Sequence, residues 1–150
     1  AGAGFSLALA CDMVVAARDA VFLMAYSNVA LSPDGGASWS LANTLPRPLA
    51  TELLMCGDKI TAERLHALGL INRLSNPVDA LGTELQLADR LNQRAPNALA
   101  SIKELLSDAA HQTLSQHLNS ERDHFVKNLH HANAGEGIAA FLEKRSPRYE

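Results

Sequence analysis

Apolar positions follow two rhythms along this chain. As far as about residue 76 they come in short runs separated by small and turn-forming residues; beyond it they recur every three or four positions. In the first half, Gly2-Ala3-Gly4 reads as a turn leading into a short apolar helix from Gly4 to Ala10. The runs Met13-Val14-Val15-Ala16 and Val21-Phe22-Leu23-Met24 predict buried strands. Ser27 to Asp34 reads as a loop closed by Pro33-Asp34-Gly35-Gly36, and a helix from about Ala37 to Leu45 stops near Pro46 and Pro48. Leu49 to Cys56 is helical, with Gly57 ending it. Thr61 to Gly69 has every mark of a small helix: a threonine N-cap, Glu63 in the first turn and glycine just past the end. Leu70 to Leu74 predicts a further short strand, and Asn76-Pro77 breaks the chain.

From Val78 onward every pattern is helical. Leu81, Leu85, Leu87 or Ala88, and Leu91 form one stripe; Ala98, Ile102, Leu105 and Leu106 a second; Leu114, Leu118, Phe125 and Leu129 a third; Ile138, Ala139, Phe141 and Leu142 a fourth. The expected class is therefore α/β, with a mixed segment over residues 1–76 and an all-helical segment over residues 77–150. The helical segment has more amphipathic faces than it can bury against itself, so some must dock on the first half or on another subunit.

Composition narrows the function classes. The chain has 150 residues, 47% hydrophobic and 19% charged, which is too apolar for disorder. A net charge of -3 offers no basic surface for phosphates, so no nucleic-acid partner is expected. The apolar start from Ala1 to Ala17 lacks a basic leader and is interrupted by Asp12, which argues against a signal or a membrane span. Two cysteines, Cys11 and Cys56, suit a reducing, cytoplasmic setting better than a disulfide framework, and Cys56 reads as core packing on an apolar helix face. Opening on Ala1 inside a buried-looking run suggests a piece of something longer.

Four constellations could carry chemistry. Small residues at Gly2-Ala3-Gly4 would let a substrate carbonyl approach an unpaired N–H at the helix start, although the same residues also make an ordinary tight turn. Gly4-Phe5-Ser6-Leu7-Ala8 partly imitates a nucleophile elbow, but it lacks the last glycine and a preceding strand, so Ser6 also reads as a buried helix serine bonded to its own backbone. Asp34 has little charge around it. A carboxylate sheltered from water holds its proton more tightly and suits acid–base work near neutral pH, whereas an aspartate before a helix is equally a good N-cap. His117, Glu121 and His124 share a helical face continued by His131, but they flank an apolar stripe where solvated polar residues belong, so no metal site is expected.

In order and spacing these segments resemble the crotonase (enoyl-CoA hydratase/isomerase) superfamily. The similar stretches are Ala1 to Asp12, Phe22, Leu31 to Gly36, Leu53 to Ala62, Ala67 to Asn72, and Glu136-Gly137 with Ala140 to Pro147. The resemblance implies a ββα-spiral core followed by a helical C-terminal region that builds homotrimers, often paired into hexamers. It implies that this chain is the C-terminal part of the family's unit, with the N-terminal part of the spiral missing and the fragment inactive by itself. It places the N–H of Ala3 as the second donor of an oxyanion hole for an acyl-CoA thioester, with Gly2 and Gly4 around it. The two glutamates of the hydratases fall on Ser6 and Tyr26, neither of which is a base near neutral pH, so hydration is not expected. Asp34 falls where isomerase branches carry their catalytic acid, and also where dehalogenase-type members carry a nucleophile; a ring-opening use of Asp34 or a non-catalytic assembly subunit are the alternatives. Ser6 and Tyr26 would line the pocket, and Phe141 with Lys144, one turn apart on the last helix, would reach towards coenzyme A. No cofactor is implied beyond coenzyme A as part of the substrate.

Overall fold

The structure, a computed structural model, describes residues 1–150. It divides into two compact units, Ala1–Leu85 and Gln86–Glu150.

The first unit begins with helix α1 (Ala3–Leu9), followed by two short strands, β1 (Val15–Ala17) and β2 (Val21–Phe22). A single 3-10 turn at Ser27–Val29 leads to helices α2 (Ala37–Thr44) and α3 (Arg47–Cys56). Then come β3 (Ile60–Thr61), α4 (Ala62–Ala67) and β4 (Arg73–Ser75), and α5 (Ala80–Asn92) carries the boundary between the units. β1 pairs in parallel with β4, Ala16 opposite Leu74, while β2 pairs antiparallel with β3, Phe22 opposite Ile60. Met24, Leu41 and Leu65 are fully buried at the centre, and the rings of Phe5 and Phe22 meet at 5.0 Å. Apolar burial of this kind is the main favourable term holding helices this short, which could not persist alone in water.

Local chemistry explains the boundaries. Thr61 Oγ1 accepts the N–H of Arg64, starting α4 as the sequence predicts. At its other end Leu70 N–H returns to Leu65 O and Gly69 N–H to His66 O, a closure that needs the left-handed φ of 83° at Gly69. That closure consumes Leu70, so β4 starts at Arg73 rather than Leu70. Asn72 is spent differently: its N–H donates to Val14 O and its side chain accepts Val14 N–H at 2.7 Å. α3 begins at Arg47, before Pro48, instead of after it, because a proline in the first helical turn has no N–H to waste. The strands are shorter than the apolar runs that contain them, and Val21 is exposed. Cys56 is exposed as well, at the last residue of α3 before left-handed Gly57, so it does not pack the core.

The second unit contains α6 (Pro96–Ala109), α7 (Leu114–Leu129) and α8 (Ala132–Glu143). Thr113 and Gln116 form a reciprocal capping box at the start of α7. Partly buried polar side chains link the helices. Asn97 donates to Asn128 at 2.7 Å, Asn128 to Ser101 at 2.8 Å and Asn133 to Asn97 at 2.8 Å. Asn133 also exchanges hydrogen bonds with the backbone of Glu150. His117 and His124, expected to be solvated, have side chains only 17% and 19% exposed, whereas Leu118 and Phe125 are 53% and 68% exposed. The period separates the two faces of α7 as the sequence predicts, but the histidine face is the sheltered one and the apolar stripe is left exposed.

Candidate functional site

Gly2 has φ 51° and turns the chain into α1, its N–H donating to Leu23 O at 3.0 Å. The N–H groups of Gly4, Phe5 and Ser6 all find carbonyls at Ala1 or Gly2. Ala3 N–H has none within the chain, because a residue at the head of a helix has no carbonyl four positions back. The donor singled out in the sequence is thus the unpaired one, on an exposed residue.

Asp34 lies in the loop before α2. Its side chain does not cap that helix: the N-cap is Gly36, no side chain bonds the first turn, and Asp34 contributes only its carbonyl, to Ala37 N–H. The sheltered environment expected for it is absent too, since Asp34 is exposed. Its Oδ1 instead accepts the hydroxyl of Tyr26. The Tyr26 hydroxyl also accepts a hydrogen bond from Ser6, and the hydroxyl of Ser6 additionally lies 3.4 Å from Gly2 O. Donation to Asp34, followed by partial desolvation, pushes the phenol above its usual 10.0, so Tyr26 remains a donor at neutral pH.

Gly35 lets the Asp34 loop approach α1 closely, and Gly2 lies beside the Tyr26 ring. A Cβ at Gly2 would lie 3.8 Å from the ring of Tyr26, and one at Gly35 would lie 3.0 Å from Ser6 Cβ. The Gly2 turn, Ser6, Tyr26 and Asp34 therefore form one cluster in the first unit. The partnership of Tyr26 with Asp34 was not visible in the sequence, where the two are simply eight positions apart in a loop without periodicity.

Phe141 and Lys144 belong to the second unit. Phe141 is 83% exposed, so it is not a core residue of this chain. Lys144 lies just past α8 in a left-handed conformation with φ 55°, so the two do not sit on one continuous helix. No three His, Cys, Asp or Glu side chains are grouped closely enough to hold a metal ion: His117 meets Glu121, His124 meets Glu104, and His131 caps α8. No helix is long and apolar enough to cross a membrane. A cavity of about 340 Å³ lies elsewhere in the first unit, lined by Leu9, Cys11, Asp12, Val14, Thr44 and Asn72, and includes none of the clustered residues.

The cluster can be set beside known proteins. Residues 1–150 match the profile of the enoyl-CoA hydratase/isomerase family. The 1,2-epoxyphenylacetyl-CoA isomerase of Escherichia coli is 38% identical over 149 residues, covering 99% of this chain and 57% of that protein. A carnitinyl-CoA dehydratase of Salmonella arizonae is 33% identical, covering 99% of this chain and 59% of that protein. The crystal structure of an enoyl-CoA hydratase from a Polaromonas species superimposes with a TM-score of 0.98 at 67% identity, covering 99% of this chain and 58% of the other. The chain thus spans less than two thirds of the length of these relatives. With a family profile matched from end to end and a fold shared at this identity, the chain belongs to the enoyl-CoA hydratase/isomerase (crotonase) family.

Proposed function

We propose that the protein carrying this chain moves a double bond in an enoyl-CoA thioester by proton transfer. Ala3 N–H polarises the thioester carbonyl as one of two donors. Asp34 removes a proton from carbon, leaving an enolate whose negative oxygen rests on those donors, and then returns the proton to a different carbon. The bonds balance: one C–H breaks, one forms, and the carboxylate is regenerated. Gly2, Gly4, Ser6 and Tyr26 line this site. The observation that carries the reading is the linkage of Asp34, through Tyr26, to the turn that bears the unpaired Ala3 N–H. The relative named as an isomerase lends it support.

The rest of the proposal concerns assembly. The outward apolar faces of the second unit suit further copies of the chain, as homotrimers or hexamers, with Phe141 and Lys144 directed towards coenzyme A. The residues call for no other cofactor, and the proposed location is the cytoplasm. Other relatives are named as a hydratase and a dehydratase, but Ser6 and Tyr26 stand where the family resemblance implies the hydratase carboxylates, and their hydroxyls are poor bases near neutral pH.

Asp34→Asn tests the reading in the protein carrying these residues, with a panel of enoyl-CoA thioesters and solvent-deuterium exchange at carbon. The expected result is a loss of at least ~10²-fold in turnover and exchange, the usual worth of a positioned acid–base group, with the melting temperature unchanged. Unchanged turnover would overturn the role of Asp34. A wild-type protein that binds the panel but turns over none of it would favour the assembly-subunit alternative.

A further inference from the structure

We propose that Tyr26 is a positioning residue that fixes the Asp34 carboxylate relative to the Gly2–Ala3 turn, an inference that rests on the proton-transfer reading above. Asp34 is exposed and is followed by two left-handed glycines, Gly35 with φ 59° and Gly36 with φ 81°. A carboxylate on such a loop has little packing to select its rotamer. The Tyr26 hydroxyl supplies the missing constraint by holding Oδ1, which leaves Oδ2 with its lone pairs available for a carbon-bound proton.

Tyr26 can do this because it is itself held at both ends. Its carbonyl accepts Val29 N–H at 3.1 Å and Leu31 N–H at 3.0 Å, locking the backbone into the 3-10 turn. Its ring lies against Gly2, where any side chain would meet it, and its hydroxyl also receives Ser6 from the buried face of α1. One ring thus spans from the oxyanion turn to the acid, setting the separation between the group that polarises the carbonyl and the group that moves the proton. A phenol that keeps its proton at neutral pH acts as a fixed anchor and does not compete with Asp34 as a base.

Three variants of the protein carrying these residues, assayed with enoyl-CoA thioesters, test the proposal. Tyr26→Phe keeps the ring against Gly2 and deletes only the anchor. The expected result is a fall in kcat of ~10–100-fold with KM within about threefold, the cost of releasing a reacting group from its aligned position. Wild-type kcat would overturn the proposal, and so would a raised KM at constant kcat, which would mean that Tyr26 only contacts substrate. Ser6→Ala should give a smaller fall in kcat, because it loosens the hydroxyl that holds Asp34 without removing it. Should Tyr26→Phe fail to fold, ultraviolet titration of Asp34→Asn decides the point. The Tyr26 phenol should ionise at lower pH there than in wild type, since the carboxylate is the largest cause of its raised pKa; no change would overturn the linkage. The two readings fail separately. A fully active Asp34→Asn sinks the proton-transfer function, whereas an inactive Asp34→Asn beside a fully active Tyr26→Phe sinks only the positioning role.

Discussion

Gly35 and Ser6 stand so close that a Cβ built on the glycine would lie 3.0 Å from Ser6 Cβ, in a backbone conformation with φ 59°. The loop carrying Asp34 therefore rests directly on α1. Gly35→Ala has to overcome both conditions: left-handed backbone costs an L-residue ~1–2 kcal/mol, and the added methyl meets a side chain rooted in a helix. The expected outcome is a destabilisation of that order in urea unfolding. In a double-mutant cycle, combining it with Ser6→Gly should recover the steric part and leave the conformational part. Full additivity of the two substitutions would show that the contact contributes nothing.

Glu136 and Arg145 make a bidentate ion pair in the second unit, with guanidinium nitrogens 2.6 and 2.9 Å from the two carboxylate oxygens, while Arg148 N–H donates to the same carboxylate at 2.8 Å. These bonds hold the Glu136 carboxyl down to about 2 from an ordinary 4.5. A depressed folded-state value stabilises the fold fully above the unfolded value, and that stabilisation is lost as pH falls towards the folded one. Glu136→Gln should therefore melt below wild type at neutral pH, with the gap narrowing between about 4.5 and about 2. Melting curves across that range check it, and a gap independent of pH would contradict the assignment.

Phe125 and Leu118 face outward on α7 while its polar side faces inward. If second copies cover that face, Leu118→Asp with Phe125→Glu should lower the sedimenting mass of the protein and abolish the concentration dependence of its melting temperature. Retention of the wild-type mass would remove this face from the assembly.

Legibility in the sequence tracked how local each determinant is. α4 could be read almost whole, because Thr61, Glu63 and Gly69 act within one or two turns. The apolar runs behind β1, β2 and β4 overstate those strands and nothing marks β3 as one, since each is two or three residues, set by its partner and not by its own pattern. α7 illustrates a different limit. The 3.6-residue rhythm locates an apolar stripe, but not whether the chain itself covers it, and here Asn97, Ser101 and Asn128 took the inner place. At the site, Ala3 and Asp34 could be singled out by residue type and resemblance. The bond from Tyr26, the exposure of Asp34 and the support of Gly35 on Ser6 come from loop geometry that no periodicity encodes.

The amide chain joining Asn97, Asn128 and Asn133 has a calorimetric consequence. Hydrating buried amides lowers heat capacity whereas hydrating hydrocarbon raises it, so a helical unit held together this way should melt with an unusually small heat-capacity increment for its size. Covering its outer leucines and phenylalanines would carry the opposite signature, a large negative increment on association.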